Sequence, residues 1–109
     1  MTDADGTYSF DKRETIAETP NLRVRMLALG EGQCVPWHYH SNVTDTFFCM
    51  EGPMQVTTRN PDRVQVLQPG QTCSVASGTP HLVAGVDDRP CRFMIVQGVG
   101  LYDFVPVNS

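Results

Sequence analysis

From Leu22 to Leu29 the chain alternates, with Leu22, Val24, Met26 and Ala28 on one face and Arg23 and Arg25 on the other. Side chains two apart on an extended backbone project to the same side, so this period predicts a half-buried strand. Gly30-Glu31-Gly32 breaks it, and a second extended run follows at 33–40, where Pro36 predicts an edge or a bulge. Further strands are predicted at 44–51, 54–58, 63–68, 71–75, 81–86 and 91–96. Between them stand Gly52-Pro53, Arg59-Asn60-Pro61-Asp62, Pro69-Gly70, Ser77-Gly78-Thr79-Pro80 and Asp87-Asp88-Arg89-Pro90, all turn-forming clusters. No long stretch repeats at the helical period. Short strands separated by such frequent turns predict an all-β fold, an antiparallel sandwich or barrel.

Residues 1–20 are polar and mixed, and read as an N-terminal arm with one short strand near Tyr8-Ser9-Phe10; residues 21–109 read as the barrel with a short C-terminal tail. One domain suits a chain of 109 residues, 40% of them hydrophobic and 18% charged. A domain of this size has a thin core margin, which a second subunit would widen.

Charge narrows the choice of partner. Eight Lys plus Arg stand against twelve Asp plus Glu, for a net charge of -4, and no basic stripe is present to neutralise phosphates, so no nucleic acid is expected. No apolar run approaches the ~20 residues that span a bilayer, so no membrane is expected either. The acidic, polar start Met1-Thr2-Asp3-Ala4-Asp5-Gly6 is unlike an export signal, and a cytoplasmic setting is the expectation. Cys34, Cys49, Cys73 and Cys91 are scattered, with no C-x-x-C pair, and read as small buried apolar residues.

The candidate chemistry lies in the three histidines. His38 and His40 stand at i and i+2 of an extended run, on one face, so both imidazoles can meet one ion. Asp45 starts the next strand, where a short loop can fold it back beside them. His81 opens a later strand that an antiparallel barrel can set opposite the pair. Imidazoles with a carboxylate suit Fe, Mn, Ni or Zn, with Cu possible. By the same alternation Phe47 and Cys49 share a face with Asp45, and Met54, Val56, Phe93, Ile95 and Gln97 are candidate neighbours in a substrate pocket. Core packing is the alternative for each apolar one. Cys34 and Pro36 share parity with His38. Trp37 and Tyr39 face away, towards sheet or dimer packing. Arg23 and Arg25 read as a solvated face or a subunit contact. Tyr102 and Phe104 are expected to cover a barrel end, as a lid or across a dimer.

The frame around these residues is specific. Gly32, His38, His40, Asp45 and Gly52 give G-x5-H-x-H-x4-D-x6-G, which resembles the first cupin motif, with Asp45 where Glu is usual. Gly70, Ala76, Gly78, His81 and Gly85 give G-x5-A-x-G-x2-H-x3-G, which resembles the second, with Ala76 where Pro is usual and Gly85 where Asn is usual. The resemblance runs from about Leu22 to Val99. It implies an antiparallel double-sheet β-barrel of the cupin or jelly-roll type, and a homodimer with N-terminal strands packed on the partner. It also implies one divalent metal ion on His38, His40 and His81, with Asp45 as fourth ligand. Asp45 is one methylene shorter than Glu, so direct ligation, binding through water and a role as catalytic base all stay open.

The expected function is that of a metal-dependent enzyme on a small organic molecule. A largely apolar cavity favours a phenolic, enol or diketone compound, and dioxygenase chemistry is preferred to an isomerase, lyase, cyclase or decarboxylase. A non-catalytic module that binds a small ligand and a metal-free structural barrel are the other classes. Retention of all three histidines argues against the last.

Overall fold

The computed structural model describes residues 8–108, so the arm's first seven positions lie outside the described residues. The strands are β1 (Lys12–Thr19), β2 (Leu22–Leu29), β3 (Cys34–Tyr39), β4 (Thr44–Glu51), β5 (Met54–Thr58), β6 (Arg63–Leu67), β7 (Thr72–Val75), β8 (His81–Gly85), β9 (Cys91–Gly98) and β10 (Val105–Pro106). They form two antiparallel five-stranded sheets, ordered β1-β2-β9-β4-β7 and β10-β3-β8-β5-β6. The all-β double-sheet barrel expected from the turn spacing is therefore the fold.

One strand had no sequence signal. Lys12–Thr19 pairs along β2 within its own chain, although KRETIAET shows no clean alternation. Six of its side chains from Glu14 to Thr19 are exposed, because β1 is an edge strand with little to bury. Ser9 forms an isolated bridge just before it.

The two inner faces are stacked in rows. On the first sheet the register aligns Arg23 with Gln97 and Gln97 with Asp45; the next row holds Arg25, Ile95 and Phe47, and the next Leu27, Phe93 and Cys49. On the second sheet His38 faces His81 and His81 faces Thr58; Val35, Val83 and Val56 follow, then Gly85, Met54 and Leu67. The polar rows meet at one end, and the rows beyond them merge into one core containing Leu27, Phe47, Met54, Val56, Val83 and Phe93. Apolar burial at about 25 cal/mol per Å² is what holds the sheets together.

Two local features place the site. The β3–β8 register shifts between Val35 and His38, a bulge at Pro36-Trp37. Proline cannot donate to the ladder, so it is tolerated where pairing is already broken. The bulge reverses parity: Val35 is buried and lines the interior, while Cys34 is only half-buried. The expectation that Cys34 shares a face with His38 is thus corrected by one extra residue. At Gly85, a Cβ would sit 1.7 Å from the Arg89 carbonyl oxygen, because the chain folds straight back through the 3-10 turn Val86–Asp88. This turn leaves no room for the asparagine usual at that motif position.

Candidate metal centre

His38, His40, Asp45 and His81 converge, their four potential ligand atoms lying within 4.8 Å of one another. The cross-strand pair His38–His81 on one sheet faces the pair Asp45–Gln97 on the other, so each sheet supplies part of the cluster. All four are buried, at 1–2% exposure. Burying imidazoles and a carboxylate together is costly unless every polar atom is paired or bound to an ion.

The hydrogen bonds fix the chemistry of each ring. His38 Nδ1 donates to the Pro36 carbonyl at 2.7 Å, His81 Nδ1 to the Thr79 carbonyl at 2.8 Å, and His40 Nδ1 to the Asp103 carbonyl at 2.5 Å. A carbonyl only accepts, so all three Nδ1 atoms carry a proton and all three Nε2 atoms face inwards, where a neutral ring offers a lone pair that could bind an ion. His40 Nε2 and His81 Nε2 each lie 2.9 Å from Asp45 Oδ2. The shorter aspartate therefore reaches the cluster. Its other oxygen, Oδ1, accepts from Gln97 Nε2 at 3.2 Å, and Gln97 Oε1 accepts from Arg23 Nε at 3.0 Å. The orientation of the Gln97 amide follows from its neighbours, since a guanidinium only donates and a carboxylate only accepts.

Electrostatics agree with the geometry. Burial raises Asp45, but its contacts with His40 and His81, whose Nε2 atoms donate only when they carry a second ring proton, outweigh it and hold the carboxyl well below the usual carboxylate range. Burial pulls His38 down to about 3, with the neighbouring His81 acting in the same sense, so its imidazole is neutral. Burial also lowers His40, but the Asp45 carboxylate and the Asp103 carbonyl outweigh it and raise that ring. Three imidazole nitrogens and one carboxylate oxygen, each oriented from behind, fit a borderline divalent ion.

The C-terminal tail closes this end. Phe104 stacks on His38 with centroids 4.2 Å apart and an interplanar angle of 8°, and Tyr102 lies over His40 at 5.2 Å. β10 pairs with β3, and the Ser41 amide donates to Asp103 Oδ1 at 2.7 Å. Tyr102 and Phe104 thus cover the barrel end within one chain.

A cavity of about 40 Å³ adjoins the cluster, lined by His38, His40 and Asp45. Of the residues expected by alternation to face a pocket, Phe47, Phe93, Ile95 and Gln97 line it. Cys49, Met54 and Val56 have the same parity but belong to the core rows beyond. Sequence reasoning missed Tyr8, Arg13, Arg23 and Arg25, which also line it. The inner face of β2 is the arginine face, opposite to the one its apolar residues implied. The cavity lining is largely apolar, as expected, but the expectation of few charged residues is corrected by the three arginines. The cue was present in the register, because Arg23 and Arg25 pair with Gln97 and Ile95. Trp37 faces away from the site, under the Arg59 guanidinium at 3.9 Å.

The comparisons agree with this architecture. The chain is similar to a conserved protein with a double-stranded β-helix domain from Klebsiella pneumoniae, at 21% identity and a TM-score of 0.76 over 98% of this chain and 90% of that one. KdgF from Halomonas sp. is similar at 18% identity and a TM-score of 0.69, over 90% of this chain and 85% of that one. An oxalate oxidase is similar at 18% identity and a TM-score of 0.71, over 80% of this chain but 46% of that one. At these identities the likeness shows the fold alone. No functionally curated protein matches the chain. No helix among the described residues is long and apolar enough to cross a membrane. The model of the cupin domain matches residues 25–97, which spans all four clustered residues, and the chain belongs to the cupin family.

Proposed function

We propose that the protein is a metal-dependent enzyme acting on a small oxygen-bearing organic molecule, a phenol, enol or diketone, with dioxygenase chemistry as the leading reaction. The observation that carries this reading is a four-donor cluster set against a cavity instead of sealed within the core. A divalent ion held there supplies Lewis acidity and, if it is iron, manganese, nickel or copper, access to redox chemistry with oxygen. His38, His40 and His81 would hold it through Nε2, with Asp45 as the carboxylate donor. Gln97 pins Asp45 Oδ1, so the carboxylate serves better as a fixed ligand than as a mobile base. Phe47, Phe93 and Ile95 give the cavity an apolar floor, while Tyr102 and Phe104 keep water from its mouth. Burial raises the Tyr102 hydroxyl despite the nearby Arg23, so it stays protonated and can donate to an oxygen of the substrate.

The test is elemental analysis of protein purified without a metal-chelating tag, followed by oxygen uptake with a phenol and diketone panel. About one iron, manganese or nickel per chain with substrate-dependent uptake is expected. No uptake with any of these forms would remove the dioxygenase reading. Native zinc would move it to isomerase, lyase, cyclase or decarboxylase chemistry, and stabilisation by ligand without turnover to a binding module.

The protein is also proposed to be a homodimer. The outer face of β2-β9-β4 carries Val24, Met26, Met94, Val96 and Phe48, aligned across the strands by the register Val24–Val96 and Met26–Met94–Phe48. All but Met26 remain half-buried, and Met50 on the same strand face is 47% exposed. A second copy would cover this stripe. Met94→Glu is expected to shift light scattering from twice the chain mass to one chain mass; a monomeric wild type would refute the dimer.

A further inference from the structure

We propose that Arg25, flanked by Arg23 and Arg13, is an anion subsite in the cavity wall, and that the substrate is a small carboxylate carrying a second oxygen function. The proposal rests on the metal-enzyme reading for its second half only, namely that the carbonyl, enol or hydroxyl oxygen meets the His/Asp cluster.

Three guanidiniums line one small cavity, together with Tyr8, Tyr102 and Phe104. Arg23 is held in place: its guanidinium lies over the Tyr102 ring at 3.4 Å and its Nε donates to Gln97. Arg25 is not. Its Nε is buried and has no hydrogen-bond partner. Among the described residues, no carboxylate forms an ion pair with Arg23 or Arg25. The Nε of Arg92 is also without a partner, but that guanidinium stands on the outer face and reaches Glu51 at 3.7 Å. Glu18 stands opposite Arg23 in the β1–β2 register but is exposed and forms no ion pair with it. Asp45 is already shared between His40, His81 and Gln97. Burial and the charges of Arg23 and Arg13 together lower Arg25, the effect expected of a desolvated guanidinium crowded by other cations.

A half-buried cation whose buried Nε has no partner and whose charge has no counter-charge is destabilising. An arginine fork meets a carboxylate through two parallel hydrogen bonds, which repairs the deficit and orients the ligand. The volume sets the size. A water needs roughly 10–15 Å³ of such space, so a cavity of about 40 Å³ takes only a few heavy atoms. A carboxylate with a short oxygen-bearing chain is of this size, and its two coplanar oxygens match the guanidinium fork. A 2-oxo or enol acid has both features.

Pyruvate and its neutral isostere methyl pyruvate are the probes, with inorganic phosphate as a third arm, titrated calorimetrically into metal-loaded and chelator-stripped protein. Pyruvate is expected to bind at least 10-fold more tightly than methyl pyruvate to both forms. Arg25→Met is expected to abolish that preference without changing metal content, and Arg25→Lys to restore part of it. Equal binding of the two probes, or an Arg25→Met protein that keeps the preference, overturns the subsite. Tighter Arg25-dependent binding of phosphate overturns the carboxylate assignment. Should Arg25→Met fail to fold, the wild type decides alone: pyruvate must raise its melting temperature more than methyl pyruvate at equal ionic strength. The two readings fail separately. Charge preference in stripped protein that never takes up metal keeps the subsite and ends the metal-enzyme reading; metal-dependent turnover without charge preference does the reverse.

Discussion

His81→Ala is expected to leave the protein folded and nearly free of metal. The residue supplies one of three inward-facing Nε2 atoms and sits directly across from His38 in the β3–β8 register. Its own Nδ1 is committed to the Thr79 carbonyl, which fixes the ring with Nε2 turned inwards. Loss of an outer partner of a metal ligand costs about 10–100-fold in affinity, and loss of the ligand itself should exceed that. Metal per chain after dialysis, measured against a chelator of known affinity, gives the number, with far-UV circular dichroism as the control for folding. Stability should follow: a ligand present at 100 times its dissociation constant contributes about 2.7 kcal/mol, and the variant should no longer gain it when metal is added. Unchanged metal content would place the ion elsewhere and dissolve the centre described above.

Phe93→Ala should be the most damaging single change to the barrel itself. Phe93 is 1% exposed and lies with its ring 5.7 Å from that of Phe47, which in turn lies 6.2 Å from His81. Truncating a buried phenylalanine costs about 3–5 kcal/mol, against a total of about 5–15 kcal/mol for a domain. A drop in melting temperature of more than about 10 °C is expected for a chain this short. Ile95→Val, one row nearer the mouth, should cost only about 0.5–1.5 kcal/mol. Urea denaturation of metal-free protein isolates the packing effect from ligand loss. A cost below about 1 kcal/mol for Phe93→Ala would mean that the rows collapse freely and are not one packed core.

Most of the strands were legible because each carries its own turn signals. The strands 44–51 and 54–58 need no tertiary information to be drawn, and they stand as β4 and β5. The histidine pair was equally legible, because both members lie on the same side of the bulge and their spacing survives it. Cys34 lies on the other side, and a single inserted residue reversed its face. β2 was drawn correctly and faced wrongly. Its alternation is real, but polarity labels the inside only when the inside is a plain core. Here the inner face carries Arg23 and Arg25 beside a cavity, and the outer face carries Val24 and Met26. Chemistry inside and an apolar face outside invert the usual rule. β1 left no pattern because an exposed edge strand has no face to bury. The roles of Tyr8, Tyr102 and Phe104 depend on where irregular segments cross the barrel, and periodicity says nothing about that. Cys49, Met54 and Val56 show the remaining limit: parity says which face a side chain takes, and only depth along the strand says whether it meets a cavity or a core.

The order of strands in the first sheet bears on how the protein comes off the ribosome. β9 lies between β2 and β4, yet it is made after both. Until Cys91–Gly98 emerges, those two strands have no shared neighbour and the sheet has a gap at its middle. The carbonyl of Asp103, which orients His40, and the Phe104 ring that backs His38 emerge later still. Contacts this distant in sequence form slowly. His38, His40, Asp45 and His81 are therefore all synthesised before the segments that complete their surroundings. The cluster reaches the geometry described above only after Asp103 and Phe104 have followed the rest of the chain.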